Sequence, residues 1–290
     1  MSTSAQQLLS EIRNIYRTLS SLPTLAPGNQ VNALLTRLVH LCIAPHGSEF
    51  THYFLGLEGV DALCHSLRPL CAAAEGELER YWVDRILNES AASKATASQT
   101  RQLLRNFPYY TNYLDLSRLE TSVIVAFLSS SVSLSKVAFI GSGPLPLTSI
   151  CLLEAYPKAI VHNIDRDNAA LHVSQSLAAN LGYHDRMTFA CEDVSIEQVS
   201  GAHTNWASFD VVFLAALVGM NTAEKVSILE ILAGKMRPGT LVVVRSAQGL
   251  RSVLYPISDE LSLAGYEVLV EVHPWTSVVN SAVVLRVKER

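Results

Sequence analysis

Seven short, nearly continuous apolar runs in the second half of the chain constrain its fold more than any other feature. They cover residues 137–140, 159–164, 187–191, 209–214, 240–244, 266–272 and 282–287. Helical patterns separate most of them, at 147–155, 168–181, 222–235 and 252–263. Strands that read as apolar throughout are buried on both faces, and their alternation with helices predicts a doubly wound, mostly parallel sheet in an α/β unit. Only a short stretch, residues 274–279, joins the last two runs, so that pair is expected to be antiparallel.

The first half has a different period. Leu8, Leu9, Ile12, Tyr16 and Leu19 recur at helical spacing, as do Val31, Leu34, Leu35, Leu38, Val39 and Cys42. Pro23, Pro27 and Gly28 separate the two stripes, and Pro45 with Gly47 ends the second. A third helix is expected over 57–67. Pro69 interrupts it, and a fresh helix is expected from Arg68 to about Leu87. Residues 88–99 read as a loop or a weak helix. The expected organisation is a helical N-terminal domain, 1–115, on an α/β domain, 116–290, with the active site between them.

Composition excludes several functions. Apolar residues make up 49% of the 290 and the formal net charge is −4, without a basic run. A globular protein fits these values; nucleic acid and anionic membrane, which require clustered Lys and Arg, do not. The longest apolar run, residues 211–220, falls short of the roughly 18 needed to span a bilayer. No secretory leader is read at the start. Cys42, Cys64, Cys71, Cys151 and Cys191 form no C-x-x-C pair and no zinc-like spacing with histidine, so no metal site is expected. A soluble protein of the reducing cytoplasm is the expectation, as a monomer or a homodimer.

The chemistry centres on Phe139-Ile140-Gly141-Ser142-Gly143-Pro144, between a predicted strand and a predicted helix. Gly141 permits a tight turn and Gly143 a close backbone approach to a ligand. The third glycine of the dinucleotide fingerprint is absent, which weakens a nicotinamide reading, and alone the loop is equally an ordinary strand–helix turn. Two acids follow in order. Asp165 ends the second strand, where an acid can bind ribose hydroxyls, and Asp193 ends the third, where one can accept from an adenine amine. Both can also serve as plain helix caps, although Asp167 is better placed to do so. Three strand ends agreeing in order favour a nucleoside site.

Longer segments carry a resemblance. Residues 139–149 (FIGSGPLPLTS), 210–220 (DVVFLAALVGM), Arg245-Ser246-Ala247 with Gly249 and Arg251, Phe107-Pro108-Tyr109-Tyr110-Thr111-Asn112-Tyr113-Leu114, His273-Pro274 and Val278-Val279-Asn280-Ser281 resemble nicotianamine synthases. The likeness covers residues 8–287. It implies a Rossmann-type sheet like that of class I SAM-dependent methyltransferases. It further implies that three S-adenosylmethionine (SAM) molecules, as substrate, supply three aminobutyrate units with release of methylthioadenosine, to form the metal chelator nicotianamine. No further cofactor and no metal are implied. Without the longer C-terminal tails of plant members, the resemblance points to a fungal or microbial type. An ordinary methyltransferase, a one-step aminobutyrate transferase and a non-enzymatic binding module are the rival readings.

Residues 68–87, if helical, put Glu75 and Glu79 on one face beside the apolar stripe, with Glu77 pointing away. Two carboxylates in partly apolar surroundings repel, and at least one pKa should rise. The alternative is a solvated acidic edge. The family places a catalytic glutamate in this helix, which favours Glu79, with Glu75 next, and a functional tyrosine in the Phe-Pro-Tyr-Tyr segment, which singles out Tyr109. Tyr110 and Tyr113 read as packing. Arg245, at a strand end, is either a bidentate holder of a substrate carboxylate or half of a structural ion pair. Asn280 is a further substrate-binding candidate. Leu214 and Ala215, at the end of the fourth strand, either let a ligand lie against the backbone or belong to the sheet core. Gly141, Ser142, Gly143, Asp165 and Asp193 complete the SAM-binding candidates.

Overall fold

The computed structural model describes residues 2–128, 134–196, 204–256 and 265–289. The N-terminal half is helical: α1 (Ser2–Ser21), α2 (Asn29–Ile43), α3 (Ser48–Leu55), α4 (Val60–Ser93), α5 (Ala97–Leu104) and α6 (Tyr110–Phe127). The predicted stripes form the inner faces of α1 and α2, with Leu8, Leu9, Ile12 and Leu19 buried against Val31, Leu38 and Cys42. The helix α3 was not anticipated.

Pro69 does not end a helix. It lies inside α4, which runs unbroken for 34 residues. Proline removes one backbone donor and crowds the preceding turn, at a cost of about 3 kcal/mol. Burial of Leu63, Cys64, Leu67 and Cys71 on either side holds the helix through it. The stretch 88–99 is also more ordered than expected. Helix α4 continues to Ser93, and α5 starts on a capping box in which Thr96 and Gln99 each accept from the other's backbone N–H.

The second half matches the predicted alternation. Strand β1 (Lys136–Ile140) leads to α7 (Leu147–Ala155), β2 (Ile160–Asp165) to α8 (Asn168–Asn180), then β3 (Met187–Cys191), β4 (Val211–Leu214), α9 (Thr222–Lys235), β5 (Leu241–Ser246), β6 (Tyr266–Val272) and β7 (Ser281–Val287). Of the helix expected at 252–263, residues 249–253 form a 3-10 turn and 257–264 lie outside the described residues. The strand order is β3-β2-β1-β4-β5-β7-β6. As expected, β6 and β7 pair antiparallel; in addition, β7 inserts between β5 and β6 and runs antiparallel to both.

Alternate strand residues face opposite sides. Val137, Phe139, Val211, Phe213 and Val243 pack with α7 and with Val83, Ile86, Leu104 and Ile124 of α4, α5 and α6. Ala138, Ile140, Val212, Leu214 and Val244 pack with Ile228, Leu229 and Leu232 of α9. The boundary expected at 115/116 falls inside α6, and the core crosses it. Helix α4 spans both regions: its first half packs on α1, and its second half on α8 and the sheet.

Candidate active site

Strand order reverses between β1 and β4, and in such sheets the crevice beyond the carboxyl ends of the strands is where ligands bind. A cavity of about 550 Å³ lies there, with α4 over it. Its floor is the glycine loop. Gly141 (φ 78°) and Gly143 (φ 63°) adopt left-handed backbone, and added β-carbons would lie 2.4 Å from Val218 Cγ2 and 2.7 Å from Glu79 Oε2, respectively. Asp165 fastens the loop: its Oδ2 accepts from Gly143 N at 2.8 Å and its Oδ1 from Asp167 N at 3.0 Å. Asp167 caps α8 through Ala169 N and Ala170 N, so the two acids divide the work. Ser142 Oγ is buried and without a hydrogen-bond partner among the described residues. Asp193 faces the cavity, its pKa lowered by hydrogen bonds from the Ser195 hydroxyl and backbone.

The opposite wall is the loop after β4, residues 215–220. The ammonium of Lys225, fully buried, donates to the carbonyls of Ala216 and Val218 at 2.9 Å and of Ala215 at 3.3 Å. Arg68 of α4 donates to Met220 O from one side of its fork and to Ser252 O from the other. Ala215 lines the cavity; Leu214 does not, being enclosed in the sheet core.

Helix α4 brings Glu75 and Glu79 to the cavity wall and leaves Glu77 exposed, as its helical spacing predicted. Tyr113 donates to Glu79 Oε1 at 3.2 Å, and Tyr255 donates to Glu75 Oε1 at 2.7 Å. Burial, the neighbouring Glu75 and, more weakly, Asp165 push the Glu79 carboxyl up to about 8, against hydrogen bonds from Leu145 N–H and Tyr113. Burial also raises Glu75, against the hydrogen bond from Tyr255 and the positive Arg245, which favour its ionised form.

Arg245, at the end of β5, lines the larger cavity. It is 6% exposed, and its fork meets Glu120 in bidentate fashion, Nε to Oε1 at 2.7 Å and Nη2 to Oε2 at 2.9 Å, with Thr148 Oγ1 a further acceptor and the Phe139 ring beneath. Of the two sequence readings, the geometry matches the ion pair. Glu120 is wholly buried, and a carboxylate there requires such a partner.

A second cavity, of about 320 Å³, opens between α2, α4 and α6. Glu75, Glu79, Tyr113, Tyr255 and Asn280 line both cavities, so the carboxyl pair forms the partition. Asn280 Nδ2 has no partner there among the described residues. Tyr109 lines the second cavity, not the first; its ring lies against Phe107, and its hydroxyl, raised by burial, bonds to Thr36.

Sequence reasoning missed Tyr255, Lys225 and Glu120, and it assigned Tyr113 to packing. Recognising a helix from Tyr110 would have revealed Tyr113 and Glu120, which stand with Ser117 and Ile124 on one helical face. No local signal marks Tyr255, which reaches Glu75 across 180 residues. Among the described residues no group of three His, Cys, Asp or Glu is placed to hold a metal ion, and no helix is long and apolar enough to cross a membrane.

Comparison with known proteins shows the family and the fold. The family model described as nicotianamine synthase protein matches residues 1–290. Nicotianamine synthase 3 of Oryza sativa subsp. indica is 38% identical over 287 residues, covering 97% of this chain and 78% of the relative. Probable nicotianamine synthase 4 of Arabidopsis thaliana is 39% identical over 287 residues, covering 97% and 82%. Among solved structures, a glutamate-to-glutamine mutant of MtNAS in complex with S-adenosylmethionine superposes with a TM-score of 0.75 at 21% identity, over 97% of this chain and 98% of that one. MtNAS in complex with MTA and tNA superposes with a TM-score of 0.76 at 20% identity, over 97% and 98%. At these identities the structural likeness shows a shared fold.

Proposed function

The chain belongs to the nicotianamine synthase family, and from that premise we propose that the larger cavity holds SAM with its γ-carbon, rather than its methyl, turned toward Glu79. The enzyme is a SAM-dependent aminobutyrate transferase that makes nicotianamine and releases methylthioadenosine. Asp165 and Asp193 stand where the ribose and adenine of SAM would lie, and Gly141–Gly143 with Ala215 lie against its body. The second cavity receives the acceptor and the growing product, with Asn280 and Tyr109 in its wall. Three such transfers and one ring closure complete the product.

Each transfer balances simply. A neutral α-amine attacks the γ-carbon, a nitrogen–carbon bond forms, and the carbon–sulfur bond breaks. The electron pair leaves on sulfur as methylthioadenosine, and the positive charge passes from sulfonium to the new ammonium. The attacking amine must first lose a proton. A carboxyl pushed up to about 8 is matched to that task, because an α-amino group titrates near roughly 8 and the transfer is then almost level. A buried carboxyl on the partition between two cavities, beside a second carboxyl and above the glycine loop, is the observation that carries the reading. The protein's other contribution is orientation: whichever carbon of the sulfonium faces the amine is the one transferred.

Mass spectrometry of the purified protein incubated with SAM alone tests it. Methylthioadenosine and nicotianamine near three to one are expected. S-adenosylhomocysteine appearing only with an added acceptor would make it a methyltransferase instead. Five free cysteines, four of them buried, suit a reducing cytoplasm, and a monomer or homodimer that binds neither nucleic acid nor membrane is the proposed state.

A further inference from the structure

We propose that Tyr255 and Glu75 are positioning residues that keep the mobile proton of the carboxyl pair on Glu79. The inference rests on the functional reading above, but it concerns which carboxyl holds the proton, and it can be tested separately.

The two carboxyls stand one helical turn apart on the same face of α4 and border the same two cavities. Carboxylates that close do not both ionise readily, and a proton shared between them resides on the one whose anion is less well held. The surroundings are unequal. Tyr255 has a single hydroxyl hydrogen and commits it to Glu75 Oε1 at 2.7 Å, a short bond that strengthens when the acceptor is ionised. Arg245, on β5, adds positive charge on the Glu75 side. Glu79 receives a longer bond from Tyr113 of α6, 3.2 Å, and a backbone N–H from Leu145, while Asp165 at the end of β2 adds negative charge. Cys71 on α4 and Tyr109 are the other titratable groups coupled to Glu75; burial raises both, which leaves them neutral near pH 7.

Burial of Tyr255 points the same way. A phenol enclosed at the partition requires an acceptor, and Glu75 is the acceptor it has. Glu79, by contrast, has Oε2 against Gly143, in the space that a β-carbon there would fill, at the floor of the larger cavity. One carboxyl is thus the better held as an anion, and the other is left to exchange protons with the attacking amine. If the proton sat on Glu75, Glu79 would be ionised at lower pH and too weak a base for an α-ammonium.

The test follows the two carboxyl carbons by NMR in full-length protein labelled at glutamate Cδ. Glu75→Gln and Glu79→Gln, each removing one signal, supply the assignment. In the parent, the Glu79 signal is expected to titrate above that of Glu75. Tyr255→Phe keeps the ring but removes the donor, and the Glu79 midpoint should then fall by about one pH unit while that of Glu75 rises. Glu75→Gln removes the neighbouring charge and should also lower Glu79. A Glu79 midpoint that moves in neither variant overturns the proposal, as does a parent in which Glu75 titrates last. If Tyr255→Phe fails to fold, Glu75→Gln carries the result. Methylthioadenosine release against pH on the same proteins separates the two ideas. Its acidic limb should move down with the Glu79 midpoint, whereas a parent that releases none while its carboxyls titrate as described refutes the functional reading and leaves the proton assignment standing.

Discussion

Replacing Glu79 by glutamine should make the protein more stable at alkaline pH while disabling it. In the fold the carboxyl titrates at about 8 against an ordinary 4.5, chiefly because it is buried beside Glu75. Between those values the folded chain holds a proton that the unfolded chain has lost, so this group's contribution to stability falls as pH rises from 4.5 to 8 and stays low above that. Each pKa unit corresponds to about 1.4 kcal/mol, and the rise from 4.5 to about 8 puts the cost of ionising Glu79 in place at about 5 kcal/mol. Glutamine avoids the charge but accepts from Tyr113 and Leu145 more weakly than a carboxylate does, which leaves a net gain of about 2–4 kcal/mol at pH 9. For a chain of this size the melting temperature should rise by about 4–8 °C at pH 9 and hardly change at pH 5. Thermal unfolding of both proteins across pH, followed by circular dichroism, measures it. The variant should still bind SAM by calorimetry while turnover falls by about 10²–10⁴, the usual contribution of a general base. A variant no more stable than the parent at pH 9, or one offset equally at all pH values, would show that Glu79 does not carry a buried charge at a cost to folding.

Three other substitutions follow from the same geometry. Asp165→Ala removes the acceptor for Gly143 N and Asp167 N; SAM affinity by calorimetry should fall roughly 10- to 100-fold, about 1.4–2.7 kcal/mol, with a smaller change in kcat. Gly143→Ala puts a methyl group 2.7 Å from Glu79 Oε2 at a φ of 63°, and should cost about 1–3 kcal/mol in urea denaturation and raise KM for SAM. Arg245→Met strands Glu120 in the core and should cost about 3–5 kcal/mol, whereas the double variant with Glu120→Leu should recover most of it; a double variant as unstable as the single one would mean that the pair is not what holds α6 to β5.

What the sequence determined is local and periodic. A strand buried on both faces must be apolar along its length, so β1 to β7 showed as runs, and β3 and β6 fell on the expected residues. A helical face repeats every three to four residues, so the shared face of Glu75 and Glu79 was legible before any contact was known. The glycine loop and its two acids were legible because left-handed backbone and strand-end carboxyls each leave a residue type at a fixed place. What the tertiary structure decided are choices between partners far apart in the chain. Whether Pro69 breaks a helix depends on the packing of Leu67 and Cys71, not on proline alone. Whether Arg245 holds a substrate or a structural carboxylate depends on Glu120, 125 residues away, and which carboxyl keeps the proton depends on Tyr255, 180 residues from Glu75. Side chains meet across such distances only after the chain has folded, and no local period records the meeting.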